Sequence, residues 1–258
     1  MKSIGKNKQP IEFNHSLFPF LLELRSRLLY CIALFVGILC LLLPFSACLY
    51  QHFSQPLLNQ LPSGSQLIST TLTAPLFIPI KFSMILTIFI IMPFILYQFW
   101  LFTSPALYLK EQRLLWLVLT LSSGLFYSGV VFAYRFILPF LIGFFIRTSP
   151  DYIHILPDVS DYLELALQLL FGFGLIFEAP LLIIVAVVSG FLALKTLVNW
   201  RPYFIVLSFI VAMLLTPPDV VSQILLAFPL CLLFEIGLFI CRFIPKSRHA
   251  ENLQEKEK

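Results

Sequence analysis

Charged side chains are scarce in this sequence. Of its 258 residues only 12% are Asp, Glu, Lys or Arg and 59% are hydrophobic, whereas soluble domains carry roughly twice that share of charge. A water-soluble fold could not hide so much apolar surface, which excludes the soluble globular classes. The apolar residues instead gather in blocks of about twenty or more, the length that a helix needs to cross a ~30 Å hydrocarbon core. The sequence therefore predicts a single all-α membrane domain.

The sequence also lacks the motifs that mark common active sites and metal sites. It contains no nucleophile elbow, phosphate loop, HExxH or CxxC, and its four histidines are scattered. Its five cysteines have neither metal-ligand spacing nor the arrangement of a disulfide framework. We therefore expect a protein that is not an enzyme and that holds no metal and no cofactor.

Six apolar segments divide residues 1–242, and the charged residues 243–258 are expected to form a disordered cytoplasmic tail. A loop rich in Pro, Ser and Thr is predicted between the first two segments. Pro217 and Pro218 separate the last two, since proline cannot donate the helical hydrogen bond. The fifth span is short, so it must lie in a thinned bilayer or beside protein. The predicted spans are about 28–49, 80–102, 114–138, 165–194, 203–215 and 220–241.

The placement of the basic residues predicts the orientation of these spans. An even number of spans leaves both termini on one side, and short cytoplasmic loops are rich in Lys and Arg. Fourteen of the 17 Lys and Arg residues fall in the N-terminal segment, the loops after the second and fourth spans, and the tail. The other three are Lys81, Arg135 and Arg147. We therefore expect both termini in the cytoplasm.

Glu178 stands near the middle of the fourth predicted span, where an ionised side chain costs roughly 2.5 kcal/mol or more. It should face protein or a wet cavity, or be protonated. Pro180 frees the carbonyl of Ile176 one turn earlier, so we expect a kink beside the acid. Either Glu178 is functional, as buried ionisable groups in membranes usually are, or it is a neutral side chain that hydrogen-bonds a neighbouring helix.

Two other acids near the sixth span have ordinary structural explanations. Asp219 follows the proline pair and can cap the free amides at the start of the sixth helix. Glu235 lies six residues before Cys241 and can reach the cytoplasmic interface.

Glu23 and Glu111 are acids on a face that is otherwise basic. Glu23 and Arg27 have the i,i+4 spacing of a helix-surface ion pair. From composition alone both acids are routine surface charges. Aromatic and apolar residues flank both, however, and such a surface suits a basic peptide with an apolar continuation, because a guanidinium can donate two hydrogen bonds to one carboxylate.

Several ordered motifs make the chain similar to a known family. They are LELRSRLL at 22–29, QPL at 55–57, YQFW at 97–100, PALY at 105–108, FEAP at 177–180, RPY at 201–203, MLLTPPD at 213–219 and FEIG at 234–237. Through these motifs the sequence resembles the TatC subunit of the twin-arginine protein translocase, from about residue 17 to residue 242.

The resemblance implies a concave, glove-like bundle of six transmembrane helices in a bacterial inner membrane. It implies a receptor that binds twin-arginine signal peptides of folded proteins and nucleates a translocation complex driven by the proton gradient. The implied partners are precursor proteins, single-span amphipathic subunits of the TatA and TatB type, and other copies of this chain, with no nucleic acid. The family's signal-peptide site falls on Glu23, Arg25, Phe102 and Glu111, its intramembrane polar site on the concave side falls on Glu178, and its outer-face positions fall on Pro56, Asp219 and Gln223.

One rival function stays open from the residues alone. A proton-coupled secondary transporter of small molecules could use Glu178 as its carrier site. Such transporters often contain internal repeats, and none is visible in this sequence. A passive assembly scaffold is a second rival, and it would not require Glu23 and Glu111.

Overall fold

A computed structural model of the chain describes residues 17–58, 73–103, 112–148, 158–216 and 219–243, and nearly all of these residues are helical. The all-α prediction is confirmed. A 3₁₀ turn joins α1 to α2, and a π-helical turn joins α4 to α5. The helices are α1 (Leu17–Leu42), α2 (Ser46–Leu58), α3 (Ala74–Thr103), α4 (Gln112–Phe132), α5 (Leu138–Thr148), α6 (Val159–Ile176), α7 (Ala179–Val188), α8 (Leu194–Asn199), α9 (Arg201–Leu215) and α10 (Val220–Phe243).

The apolar helices fall into five long segments and one short helix. The long segments are long and apolar enough to cross a membrane, and the short helix is α9, with 15 residues. At ~1.5 Å per residue α9 is about 22 Å long, shorter than a ~30 Å hydrocarbon core. A short apolar helix is therefore present where the sequence predicts a short fifth span. The long segments are Leu22–Gln51, Leu76–Thr103, Trp116–Phe145, Ser160–Val188 and Val220–Phe243.

Several observed helix ends differ from the predicted spans, and two of the differences have a clear cause in the backbone. The predicted loop after the first span is wrong for residues 50–58, which are helical; Pro44 in the 3₁₀ turn ends α1 inside the predicted span and the chain then resumes as α2. The fourth span was predicted to reach residue 194, but α7 ends at Val188. Gly190 has a φ of 76°, a left-handed conformation that glycine adopts freely after a helix and that ends α7, although the sequence continues apolar.

Consecutive long helices run in opposite directions, so the bundle has two ends. The N-terminal end of the bundle is the end at which α1, α4 and α9 begin and α3 and α10 finish. Helix α4 packs on α6, while α7 and α9 pack on α10 and α1 packs on α3. At the opposite end, Lys81 of α3 forms an ion pair of 2.9 Å with Glu164 of α6.

Two glycines bring α4 and α6 into close contact. A Cβ atom on Gly129 would lie 2.6 Å from the carbonyl oxygen of Phe173, and one on Gly174 would lie 2.6 Å from the ring of Phe126. Both phenylalanines are fully buried. Small residues that let helix backbones approach are a main source of helix association in lipid, where the hydrophobic effect does not act between helices.

Side chains from neighbouring helices satisfy carbonyl groups that have no donor within their own helix. Pro93 has no N–H for the carbonyl of Phe89, and the Tyr127 hydroxyl of α4 donates to that carbonyl at 3.0 Å. The carbonyl of Leu214, in the last turn of α9, accepts from Nε2 of Gln168 on α6. Such partners are needed because hydrocarbon offers no hydrogen bonds. These hydrogen bonds therefore also tie helices together.

Candidate functional site

Glu178 lies in the break between α6 and α7 and is buried, with 5% of its surface exposed. Its Oε2 accepts a hydrogen bond of 2.7 Å from Oγ of Ser122 on α4. Its Oε1 is also buried and has no hydrogen-bond partner in the ranges that the structure describes. The acid thus faces protein, and one of its two oxygens is left for another donor or acceptor.

A second hydrogen bond fixes the direction of the first. Nε1 of Trp100 on α3 lies 3.0 Å from Oγ of Ser122, and an indole N–H can only donate. The Ser122 oxygen therefore accepts from Trp100, while its own proton is donated to Oε2 of Glu178. Both residues are buried. Trp100, Ser122 and Glu178 thus form a chain of hydrogen bonds that joins α3, α4 and the α6–α7 break.

The chain is interrupted beside this acid, as the sequence predicted. Helix α6 ends at Ile176 and α7 begins at Ala179, with Pro180 in its first turn. The backbone N–H of Leu182 bonds the carbonyl of Glu178 at 3.0 Å, so α7 starts directly from the acidic residue. The break turns the side chain of Glu178 toward α4, where Ser122 meets it.

A second group of polar residues lies at the N-terminal end of the bundle. Glu23 and Arg27 form the predicted i,i+4 ion pair within α1, and Nε of Arg27 also bonds Oε1 of Glu23 at 3.2 Å. The remaining arm of Arg27 reaches α3, where Nη1 donates to Oε1 of Gln98 at 3.1 Å. The Glu23 side chain is 47% exposed and that of Arg27 only 16%. Arg27 is therefore held between two helices, and Glu23 stays open to solution.

The other predicted signal-peptide residues are placed as follows. Arg25 is exposed on α1 and Phe102 is half-buried near the end of α3. Phe99, three residues before Phe102, is 47% exposed and stacks edge-on against Trp100. Glu111 lies outside the residues that the structure describes. On α1 and α3, the exposed carboxylate of Glu23 and apolar aromatic surface thus occur at the same end of the bundle.

The three predicted outer-face residues lie at or near helix ends. Pro56 belongs to the last turn of α2. Oδ2 of Asp219 accepts from the backbone N–H of Ser222 at 2.8 Å, which confirms the predicted helix cap. Nε2 of Gln223 donates to the carbonyl of Phe209 at 3.0 Å and so ties α10 to α9. Asp219 and Gln223 therefore brace the α9–α10 hairpin.

Sequence reasoning missed two polar partners of the predicted acids. Ser122 carries no sequence signal, because a serine in an apolar helix is common and only the fold brings it to Glu178. Gln98 belongs to the YQFW motif quoted above, and a polar side chain at a span end could have marked it as a partner for Arg27. Among the described residues, no group of His, Cys, Asp or Glu could hold a metal ion.

Comparison with known proteins identifies the family. The model of the family "Sec-independent protein translocase protein (TatC)" matches residues 19–229. The TatC protein of Haemophilus influenzae is 43% identical over 251 residues, covering 96% of this chain and 98% of the relative. That of Escherichia coli K12 is 42% identical over 242 residues, covering 93% of this chain and 94% of the relative.

Two solved structures have the same fold. Both are crystal structures described as the twin-arginine translocase receptor TatC, one of them in the detergent DDM. Their TM-scores are 0.79 and 0.78 at 36% sequence identity, and each match covers 86% of this chain and 98% of the other.

This family consists of translocase subunits rather than enzymes, which confirms the expectation that the chain is not an enzyme. The family gives no support to the transporter alternative. The chain is therefore an integral membrane protein that belongs to the TatC family of Sec-independent protein translocase proteins.

Proposed function

We propose that this chain is the receptor subunit of a twin-arginine translocase and that it binds the signal peptides of folded precursor proteins. The site we propose comprises Glu23, Arg25 and Phe102 at the N-terminal end of the bundle, together with Glu111, which lies outside the residues that the structure describes. The solved relatives are described as receptors of this translocase, at 36% identity over nearly their whole length. That description supports a receptor role for the present chain.

The observation that carries the proposal is the arrangement around Glu23. Its carboxylate is half-exposed, and only one of its oxygens, Oε1, is engaged by Arg27 in the contacts seen. A guanidinium from a signal peptide can therefore approach Oε2 while Arg27 stays on Gln98. Phe99 and Phe102 offer apolar surface for the segment that follows the paired arginines in the peptide. Glu111 would supply the second carboxylate.

Glu178 has a different role in the proposal. We assign it to docking a polar side chain of a partner helix, because its Oε1 is buried and unpartnered within the described residues while Oε2 is already held by Ser122. A hydrogen bond to a partner would satisfy this oxygen in a medium where an unpaired polar atom is costly. We expect the partners to be single-span subunits of the TatA and TatB type and further copies of this chain.

The location and energy source in the proposal follow from charge and family. Fourteen of the 17 basic residues lie in segments that the positive-inside rule assigns to the cytoplasm, which supports a bacterial inner membrane with both termini inside. We propose the transmembrane proton gradient as the energy source. The signal-peptide site would then face the cytoplasm, where precursors fold.

The experiment is a double-mutant cycle of precursor binding in membranes. Glu111→Gln should weaken binding of a twin-arginine precursor roughly ten- to a hundredfold, the loss of about 1.5–3 kcal/mol from a charge-assisted contact. A precursor with both arginines changed to lysine should bind weakly to the unmodified protein, since lysine lacks the planar fork. It should lose little more on Glu111→Gln.

Glu164→Gln provides the matched control, because this exposed acid is paired with Lys81 at the opposite end of the bundle. Binding should be unchanged in this variant at equal protein level. Fully additive losses in the cycle would mean that Glu111 does not meet the paired arginines, and the site would have to be sought elsewhere on this face.

A further inference from the structure

An open cavity of about 270 Å³ lies between α9 and α10 at the N-terminal end of the bundle, and neither Glu23 nor Glu178 lines it. Its wall is apolar and consists of Leu232, Ile236 and Phe239, whose side chains are all exposed. Three charged residues line the same cavity: Arg201, Glu235 and Arg242. An apolar surface beside charged side chains is the arrangement expected of a binding site for an amphipathic molecule.

The charges of this cavity do not balance. Nη2 of Arg201 forms an ion pair of 2.6 Å with Oε2 of Glu235. Nε of Arg201 is shielded from solvent and has no acceptor in the part of the chain that the structure describes. Arg242 forms no ion pair with any residue that the structure describes. Two guanidinium groups therefore face one carboxylate, and the exposed guanidinium of Arg242 leaves donors for an anion.

The depth of Arg201 in the membrane gives a second reason to expect a polar ligand group beside it. Helix α10 has 24 residues, about 36 Å, and α9 has 15, about 22 Å. Because Glu235 pairs with the first residue of α9, the last two turns of α10 extend beyond α9. Suppose that the C-terminal end of α9 and the N-terminal end of α10 both lie at one boundary of a ~30 Å hydrocarbon core. Because α9 is only about 22 Å long, the Arg201–Glu235 pair at its start then lies about 8 Å short of the other boundary. A lipid beside it must bring polar atoms to that depth.

We propose that this cavity binds an anionic phospholipid. The headgroup phosphate accepts hydrogen bonds from Arg242 and from the exposed part of the Arg201 guanidinium, and one acyl chain lies along Leu232, Ile236 and Phe239. A phosphate suits this position because its oxygens can accept from two guanidinium groups at once. Basic pockets between helices on the cytoplasmic side are known to attract anionic headgroups. The cavity shares no lining residue with the proposed signal-peptide site.

The test measures lipid retention on the purified full-length protein by native mass spectrometry, with phosphatidylglycerol and phosphatidylcholine offered in equal amounts. The unmodified protein should retain phosphatidylglycerol preferentially. Arg201→Gln and Arg242→Gln should each weaken this retention roughly fivefold. Lys195→Gln removes one exposed positive charge from the same end of the bundle and should have no effect. Equal losses in all three variants would mean bulk attraction and would overturn the proposal.

Glu235→Gln gives the sharper result, because it removes the carboxylate that competes with the lipid for Arg201. Retention of phosphatidylglycerol should rise in this variant, whereas a purely structural pair would give no gain. Inorganic phosphate at equal concentration should not displace the lipid, since it lacks the acyl chain; displacement would identify a free-anion site instead. If Arg201→Gln fails to fold, Arg242→Gln at its exposed position still decides the question.

Discussion

The hydroxyl of Ser122 donates to Oε2 of Glu178 at 2.7 Å and accepts from Nε1 of Trp100 at 3.0 Å. Ser122→Ala would leave both the indole N–H and the carboxyl group without this partner. We expect a loss of unfolding free energy of about 1–3 kcal/mol for each group left unsatisfied. Trp100→Phe should cost less, since Ser122 can still donate to Glu178.

Unfolding in detergent, followed by temperature or denaturant, measures this effect. Ser128→Ala is the control on the same helix, because that hydroxyl is exposed and bonds only a carbonyl of its own helix, Leu125, in the contacts seen. If Ser122→Ala proved as stable as Ser128→Ala, the buried hydrogen-bond chain would contribute nothing to the fold.

Polarity and charge at Glu178 can be separated by a pair of variants. In Glu178→Gln the amide oxygen can still accept from Ser122 and the amide nitrogen can donate to a partner, whereas Glu178→Ala removes both contacts. We expect transport of a twin-arginine precursor to survive in Glu178→Gln and to fail in Glu178→Ala. Loss of transport in Glu178→Gln with unchanged partner binding would favour a titrating acid and contradict the docking role.

The Glu23–Arg27 pair predicts an unequal response of the two signal-peptide acids. Glu23→Gln should weaken precursor binding less than Glu111→Gln, because Arg27 already neutralises part of the Glu23 charge. In an Arg27→Gln background that sharing is gone, and Glu23→Gln should cost more than it does alone. Binding assays on the four combinations provide the measurement. An unchanged cost would show that Arg27 and the precursor do not share this carboxylate.

Gly129 and Gly124 offer a matched comparison on α4. A Cβ at Gly129 would meet the backbone oxygen of Phe173 at 2.6 Å, whereas one at Gly124 would meet nothing within 4 Å. Gly129→Ala should therefore destabilise the protein by about 1–3 kcal/mol through overpacking. Gly124→Ala should be neutral or up to about 1 kcal/mol stabilising. Thermal unfolding of both variants tests this, and equal stabilities would mean that α4 and α6 are not closely packed.

Orientation in the membrane can be measured directly. Reporter proteins fused after Arg248 and near Lys110 should be active on the cytoplasmic side, and one fused near Ser63 should be active outside. The reason is that 14 of the 17 basic residues fall in the N-terminal segment, the loops after the second and fourth predicted spans, and the tail. Compartment-specific reporter activity in whole cells gives the answer. An external tail would overturn the proposed orientation.

The apolar blocks were enough to predict the helical class, because length and hydropathy alone decide whether a helix can cross a membrane. They could not predict where helices end within apolar sequence. Gly190 ends α7 through its positive φ although Phe191 and Leu192 continue the apolar run, and hydropathy carries no information about that backbone angle. The helical turns of α2 likewise follow from packing against α3, which a local pattern does not contain.

The candidate sites were predictable only in part for a similar reason. Glu23 and Arg27 are local in sequence, so their spacing revealed their pair. The partners Ser122 and Gln98 lie 56 and 71 residues from the groups that they bond, and only the fold brings them there. Glu178 was conspicuous as an acid in a membrane helix, but the atom that it leaves free could be identified only once Ser122 and Trp100 were placed.

The exposed first helix has a consequence for synthesis. No residue from Leu22 to Gln51 is fully buried, and α1 packs mainly on α3. About sixty residues separate the end of α1 from the end of α3, so at ~5–20 residues per second the synthesis of α3 finishes roughly 3–12 s after that of α1. For most of that time Gln98, the α3 partner of Arg27, has not been synthesised. Because Glu23 and Arg27 belong to the same helix, Arg27 has its counter-charge from the moment α1 forms and does not depend on α3 for it.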